Sequence, residues 1–323
     1  MPNLQIVYTL EDPPGTWQAA VFLAGPTPRS AEIPTWRPAM IELLGERWTG
    51  DGPLVVFVPE YRHGPHGDYV GQIEWEERCL NLADVVLFWV PRDLAMLPAF
   101  TTNVEWGMWH DSGRVVFGAP PSAPNNRYLL HYATKFDVPV ATTMAEAADA
   151  ALREIGDGAL RRGGERSVPL MVWRTPGFQQ WYTAQLAAGN ELRGGRIVWT
   201  FRPAGALFYW ALLAEVYVAA EDRMKIGEVV LSRPDVSVVV LYRRAAVADE
   251  TQVVLVREFR TAGHGFVHEL PGGSGPGEPS EQALDEVPRR PGCGWIRHGF
   301  APMAGGRSPP RCRRTGPICS RPS

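Results

Sequence analysis

Residues 83–89, Ala83-Asp84-Val85-Val86-Leu87-Phe88-Trp89, form an apolar run of strand length with one charge near its start. Apolarity at consecutive positions, rather than alternate ones, predicts a strand buried on both faces. Similar runs occur at residues 20–24, 54–58, 114–118 and 138–140, and the run quoted extends the strand over 84–90. Helical periods fall between them, near 36–48, 70–82, 103–110, 125–136 and 144–155. The alternation predicts an α/β fold over residues 1–155: a doubly wound parallel five-stranded sheet with helices on both faces. Ligands of such sheets bind beyond the carboxyl ends of the strands.

The whole chain has 323 residues, 45% of them apolar and 21% charged, enough for two domains each with its own core. A net charge of −3 gives no basis for binding nucleic acid or an anionic membrane. The longest apolar run, 206–220, is interrupted by Glu215 and falls short of the ~20 residues of a membrane span. With no basic, then apolar, leader at the start, a soluble cytoplasmic protein is expected. The four cysteines, Cys79, Cys293, Cys312 and Cys319, fit no zinc spacing.

Beyond residue 155 the pattern changes. Residues 156–168, GDGALRRGGERSV, are polar and Gly-rich and predict a linker. Strands are then expected at 196–201, 207–219, 228–231, 236–242 and 252–257, with one helix near 177–189, an α+β arrangement.

Two acids stand out in the first half. Glu76 lies on the predicted helix 70–82, spaced with Ile73, Leu80 and Ala83 as one helical face that is otherwise apolar. Partial burial there raises a carboxyl's pKa and suits it to acid/base work; the competing readings are that Glu76 pairs with a nearby cation or that Glu77 takes the inward position. Glu105 falls at the start of the helix predicted over 103–110, where the helix N-terminus favours its ionised form. Simple stabilisation of the first helical turn competes with a catalytic role. Two acids converging on the carboxyl edge of a parallel sheet can serve as nucleophile and general acid/base, as glycosidic chemistry requires.

Three landmarks in order then carry a resemblance. They are the strand and glycine turn Val21-Phe22-Leu23-Ala24-Gly25-Pro26, Glu76 eight residues before Asp84, and Glu105-Trp106-Gly107. Over about residues 19–155 the chain resembles the nucleoside 2-deoxyribosyltransferase superfamily, especially its deoxyribosyltransferase-like subgroup. The resemblance implies Glu105 as nucleophile, Glu76 as acid/base, and substrate contacts from Gly25, Pro26, Asn103, Gly107 and Asp84. It implies a small nucleoside or nucleotide as substrate, no cofactor, and a homo-oligomer as a plausible assembly. Two departures weaken the substrate inference: Glu76 stands where the family commonly has Asp, and Ala99-Phe100-Thr101-Thr102 replaces a family segment. His63, His66 and Tyr69 are candidate pocket residues on a loop, with solvation as the commoner fate. Trp89, Trp106 and Trp109 can stack on a base or simply fill the core.

A second resemblance covers about residues 195–287. Gly265-Phe266-Val267-His268-Glu269-Leu270-Pro271-Gly272-Gly273, then Glu278 and Ala283-Leu284-Asp285-Glu286-Val287, resemble the Nudix hydrolase signature. Val256-Arg257-Glu258-Phe259-Arg260 is similar to the ADP-ribose pyrophosphatase branch. The resemblance implies Mg2+ held by Glu278 and Glu286 against a diphosphate. The spacing is one residue short, Arg289-Arg290 replace the Glu pair, and Pro288 interrupts the carrying helix, so a degenerate, inactive site is expected. From Pro288 to Ser323 there are eight arginines and seven prolines and no acidic residue, which predicts a disordered or out-of-frame tail. Two other readings stay open: a Nudix-type pyrophosphatase with a nucleotide-binding first domain, and a non-catalytic nucleotide sensor.

Overall fold

A computed structural model describes residues 3–30, 32–63, 68–232 and 236–274. The chain divides into two compact units, Met1–Arg233 and Pro234–Ser323. The first unit begins with β1 (Leu4–Tyr8), β2 (Thr16–Trp17), β3 (Ala19–Ala24), α1 (Arg37–Arg47), β4 (Leu54–Val58) and α2 (Tyr69–Leu82). It continues with β5 (Val85–Trp89), α3 (Phe100–Trp109), β6 (Val115–Gly118), α4 (Arg127–Lys135), β7 (Val140–Ala141) and α5 (Met144–Ile155).

Six of these strands form one parallel sheet in the order β1-β4-β3-β5-β6-β7, one strand more than the five expected. The addition is β1, which pairs along all of β4 at the sheet edge. Only Val7 of β1 is fully buried, so it lacks the unbroken apolar run that marks the inner strands.

Each inner strand feeds two cores by simple alternation. Ala19, Val21 and Leu23 of β3 pack with α1 and α5, while Ala20, Phe22 and Ala24 pack with α2, α3 and α4. On the second face Phe22, Phe57, Phe88 and Phe117 are all fully buried, one from each central strand. Each such ring stabilises the fold by about 1.5–3 kcal/mol of apolar burial. Helix ends are set locally: α5 opens on a capping box of Thr143 and Glu146, and α2 on Asp68, whose carboxylate accepts from Gly71 N at 2.9 Å.

α3 starts at Phe100, three residues before the start read from sequence, because Ala99 adopts the left-handed conformation (φ 59°) and turns the chain into the helix. Glu105 is therefore the sixth helical residue rather than part of the first turn.

Where the sequence predicts a linker, residues 156–168 are bonded into the first unit. β8 (Arg161–Arg162) pairs antiparallel with β2, and Ala159 N donates to Gln18 O at 2.9 Å. The fully buried Arg161 pairs with Asp84 at 2.5 Å. A charged pair made across 77 residues leaves no local trace in sequence, so the glycines and arginines of this stretch read as solvated chain.

The first unit ends with α6 (Leu170–Trp173), α7 (Pro176–Ala187), β9 (Glu191–Phe201), β10 (Tyr209–Val218) and β11 (Arg223–Ser232). These three strands form an antiparallel sheet in the order β11-β10-β9. Val172, Phe178, Trp210, Leu212 and Val216 make a third core beneath the two helices.

The second unit contains β12 (Val236–Val238), β13 (Tyr242–Arg243), β14 (Gln252–Val253), β15 (Val256–Arg260), β16 (Gly265–Glu269) and β17 (Gly272–Ser274). They pair as three separate ribbons, β12-β17, β13-β14 and β15-β16. The strand expected over 236–242 stops at Val238, and that expected over 252–257 is split in two. These ribbons give no support to a Nudix-like domain. Glu278, Glu286 and the tail 288–323 lie outside the described residues. No helix among the described residues is long and apolar enough to cross a membrane.

Candidate active site

The chain leaves β3 for β4 on one side and then returns to β5 on the other, so the strand order reverses between β3 and β5. Such a reversal opens a crevice at the carboxyl ends of those two strands. α2 and α3 pack on the same face of the sheet, one before and one after β5, and the cleft lies along them. It has a volume of about 1490 Å³ and opens to solvent.

Helical spacing decides which side chains face it. Tyr69, Gln72, Ile73, Glu76 and Leu80 line it from α2; Thr101, Val104, Glu105, Met108 and Trp109 line it from α3. Ile73 is thus a cleft residue, 47% exposed, while Trp75 and Cys79 take the core-facing side of α2. Asn103 and Gly107 fall off the cleft face of α3, and both are exposed. The Asn103 side chain instead accepts from Arg92 Nη2 at 2.7 Å.

Arg37, the first residue of α1, is the cation of the site. Its side chain is 1% exposed and its guanidinium ties together the loops at the carboxyl edge. Nε donates to Leu23 O (3.2 Å), Nη2 to Gly25 O (2.7 Å), and Nη1 to both Thr27 Oγ1 (3.1 Å) and Glu60 Oε1 (2.5 Å). Glu60 Oε1 also accepts from Thr35 Oγ1 at 2.7 Å.

Gly25 sits inside this arrangement at φ +149°, where an added Cβ would lie 2.2 Å from the Trp89 carbonyl oxygen and 2.7 Å from the Trp36 ring. The missing side chain therefore admits the protein's own backbone and indole rather than a ligand. Pro26 is buried, its carbonyl accepting from Trp36 Nε1 at 3.1 Å.

Glu76 and Glu105 share one electrostatic environment. Burial pushes the Glu105 carboxyl up to about 7, the Glu76 charge pushes the same way, and Arg37 opposes both. Burial also raises Glu76, against a 2.7 Å hydrogen bond from Gln72 Nε2 and the charge of Arg37. Desolvation thus outweighs the helix-dipole preference for an ionised Glu105 that the sequence implies, since the dipole acts mainly within the first turn. Near neutral pH the Glu105 carboxyl is therefore partly protonated, and an ionised Glu76 disfavours its ionisation.

Residues 18–123 match the family model described as nucleoside 2-deoxyribosyltransferase like.

This deoxyribosyltransferase-like segment covers about a third of the chain and contains Gly25, Arg37, Glu60, Glu76 and Glu105. No curated protein matches the chain.

Asp84 lies inside the segment but not in its cleft. It precedes β5, at the amino edge of the sheet, and both oxygens are committed: to Arg161, to Ala20 N (2.8 Å) and to Leu170 N (2.8 Å). Its place is structural. Of the expected aromatics, Trp89 and Trp106 are core, 5% and 3% exposed, and Trp109 lines the cleft. Tyr69 lines it too, His63 is exposed and outside the lining, and His66 lies outside the described residues.

Sequence reading missed Arg37, Glu60, Gln72 and the wall supplied by β9. An arginine at the first position of a helix that faces a strand's glycine turn was the one available signal; the β9 wall had none. Among the described residues no group of three or more His, Cys, Asp or Glu side chains is arranged to hold a metal.

Proposed function

We propose that this cleft breaks or transfers the N-glycosidic bond of a nucleoside or nucleotide. The observation that carries the reading is that two partly desolvated carboxyls, from α2 and α3, meet at the switch point of the sheet within the deoxyribosyltransferase-like segment.

In the proposed reaction a Glu105 carboxylate oxygen attacks the anomeric carbon. The bond from that carbon to the base nitrogen breaks, its electron pair leaves with the base, and Glu76 donates the proton the nitrogen needs. Water or a second base then attacks the glycosyl-enzyme; Glu76 takes back a proton and Glu105 is released. Arg37 limits the repulsion between the two carboxyls. The chain's own residues supply all of this chemistry without a cofactor, and the substrate is a small molecule bound by a soluble enzyme that assembles as a homo-oligomer.

Incubation with a panel of nucleosides and 5′-nucleotides, with and without a second base, tests the reading by chromatography of free base. Release or exchange that disappears in Glu105→Ala supports it. No release from any member of the panel, even with an acceptor base present, overturns it.

A further inference from the structure

The cleft differs along its length in where its indoles lie. Its carboxyl-edge end holds Arg37 and Glu60 among prolines, threonines and tyrosines. Past the two acids the lining brings in Trp109 from α3 and Trp199 from β9, with Leu80, Met108 and Val198, interspersed with polar groups such as Arg114 and Thr200. α2 and α3 both start at the carboxyl edge, so residue number measures distance along the cleft at about 1.5 Å per residue. Trp109 lies four residues past Glu105, about 6 Å along the helix, within reach of a base whose anomeric carbon faces Glu105.

β9 closes this aromatic end. Arg202, just past β9, lies against the turn between α3 and β6, where a Cβ on Gly113 would sit 2.4 Å from Arg202 Nη1. A β-bulge then sets which β9 side chains are free. Trp199 pairs with Ala211 and Ile197 with Leu212, so Val198 is an extra residue in the ladder. Ile197 consequently packs on the third core, while Trp199 stays 49% exposed. Its ring is stacked beside Tyr209 (6.1 Å, 20°) and Phe201 (6.3 Å, 12°), which hold it as a flat aromatic surface. Trp109 adds a second indole, with the Arg114 guanidinium 4.9 Å from its ring and no hydrogen-bond partner for its Nε1 among the described residues.

We propose that this end of the cleft, with Trp109 of α3 and Trp199 of β9, is the subsite for the base, an aromatic heterocycle held by stacking. The inference rests on the glycosyl reading for the direction in which the substrate lies. It assigns base recognition partly to β9, outside the segment matched at 18–123, while the carboxyl-edge end with Arg37 takes the sugar. Base–aromatic stacking is sequence-tolerant, so the subsite accepts more than one base.

Calorimetric titration of the full chain with free adenine, hypoxanthine, thymine and cytosine tests the subsite separately from turnover. Binding of at least one base is expected, weakened about tenfold or more in Trp199→Leu and kept within about threefold in Trp199→Phe. Unchanged base affinity in Trp199→Leu, with the thermal melt also unchanged, overturns the subsite, as does the absence of binding by all four bases. If Trp199→Leu unfolds the sheet, the Phe variant against Trp109→Leu decides: equal affinity in both overturns it. Glu105→Gln separates the two ideas, because it removes base release while leaving base affinity within about threefold. A wild-type chain that binds bases through Trp199 yet releases none leaves the subsite standing and overturns the glycosyl reading alone.

Discussion

Arg161 donates from Nη1 to Asp84 Oδ1 at 2.8 Å and from Nη2 to Asp84 Oδ2 at 2.5 Å, and both side chains are excluded from water. This pair joins the stretch after α5 to the base of β5, at the amino edge of the sheet. Removing one partner strands a buried charge, so Asp84→Asn or Arg161→Met is expected to cost about 3–5 kcal/mol in denaturant unfolding. In the double variant the loss is smaller than the sum of the two, because they share the same interaction. At temperatures where the single variants stay folded, base release should be unaltered; a selective loss of substrate affinity would return Asp84 to the binding site.

Glu105 links activity to pH. The proposed reaction needs Glu105 ionised and Glu76 protonated, one proton on the two acids, and burial raises both carboxyls, Glu105 to about 7. The rate is expected to fall as pH rises through about 7, where the pair loses its last proton, and to fall again in acid as the pair gains a second one. A pH profile of kcat/KM without an alkaline limb near 7 would contradict this assignment.

The same shift bears on stability, with the opposite sign to an ordinary ion-paired carboxylate. A carboxyl whose folded pKa lies above its unfolded value keeps its proton longer in the native state. Native stability therefore declines as pH rises from about 4.5 to about 7, by on the order of 3 kcal/mol at most. Glu105→Gln, neutral throughout, should flatten that part of the curve and melt higher than the parent at neutral pH. Melting curves from pH 4 to 8 check both.

Glu76→Gln removes the proton donor and one of the charges that raise Glu105. Base release from natural nucleosides should drop about 10²–10⁴-fold, while a sugar carrying a leaving group that needs no proton is largely spared. The alkaline limb should also disappear, and the residual rate should rise with pH as Glu105 ionises, at lower pH than in the parent because a neutral amide at position 76 no longer repels an ionised Glu105. Equal loss on both kinds of leaving group would remove Glu76 from the acid role.

At Gly25→Ala the new Cβ meets the Trp89 carbonyl and the Trp36 ring, one of them backbone that has nowhere to move. A stability loss of about 1–3 kcal/mol is expected, with weakened substrate binding, because the Arg37-bonded loop forms one end of the cleft. A variant as stable as the parent would mean that the turn relaxes freely.

The chain's local patterns determined the parallel sheet, its helical layers and the order Gly25, Glu76, Glu105, because buried strands and amphipathic helices are written in runs a few residues long. They also placed both acids on helices flanking β5. Tertiary structure alone decided the rest. Edge strand β1 is too lightly buried to stand out, and the Asp84–Arg161 bond turns an apparent linker into part of the fold. The left-handed Ala99 moved Glu105 past the first turn, so desolvation and Glu76, rather than the helix dipole, set its protonation. Asn103 and Gly107 fell off the cleft face by one helical step. Arg37 and Trp199 reach the cleft from elements distant in sequence, and the charge balance and aromatic wall they supply depend on through-space distances that no local pattern encodes.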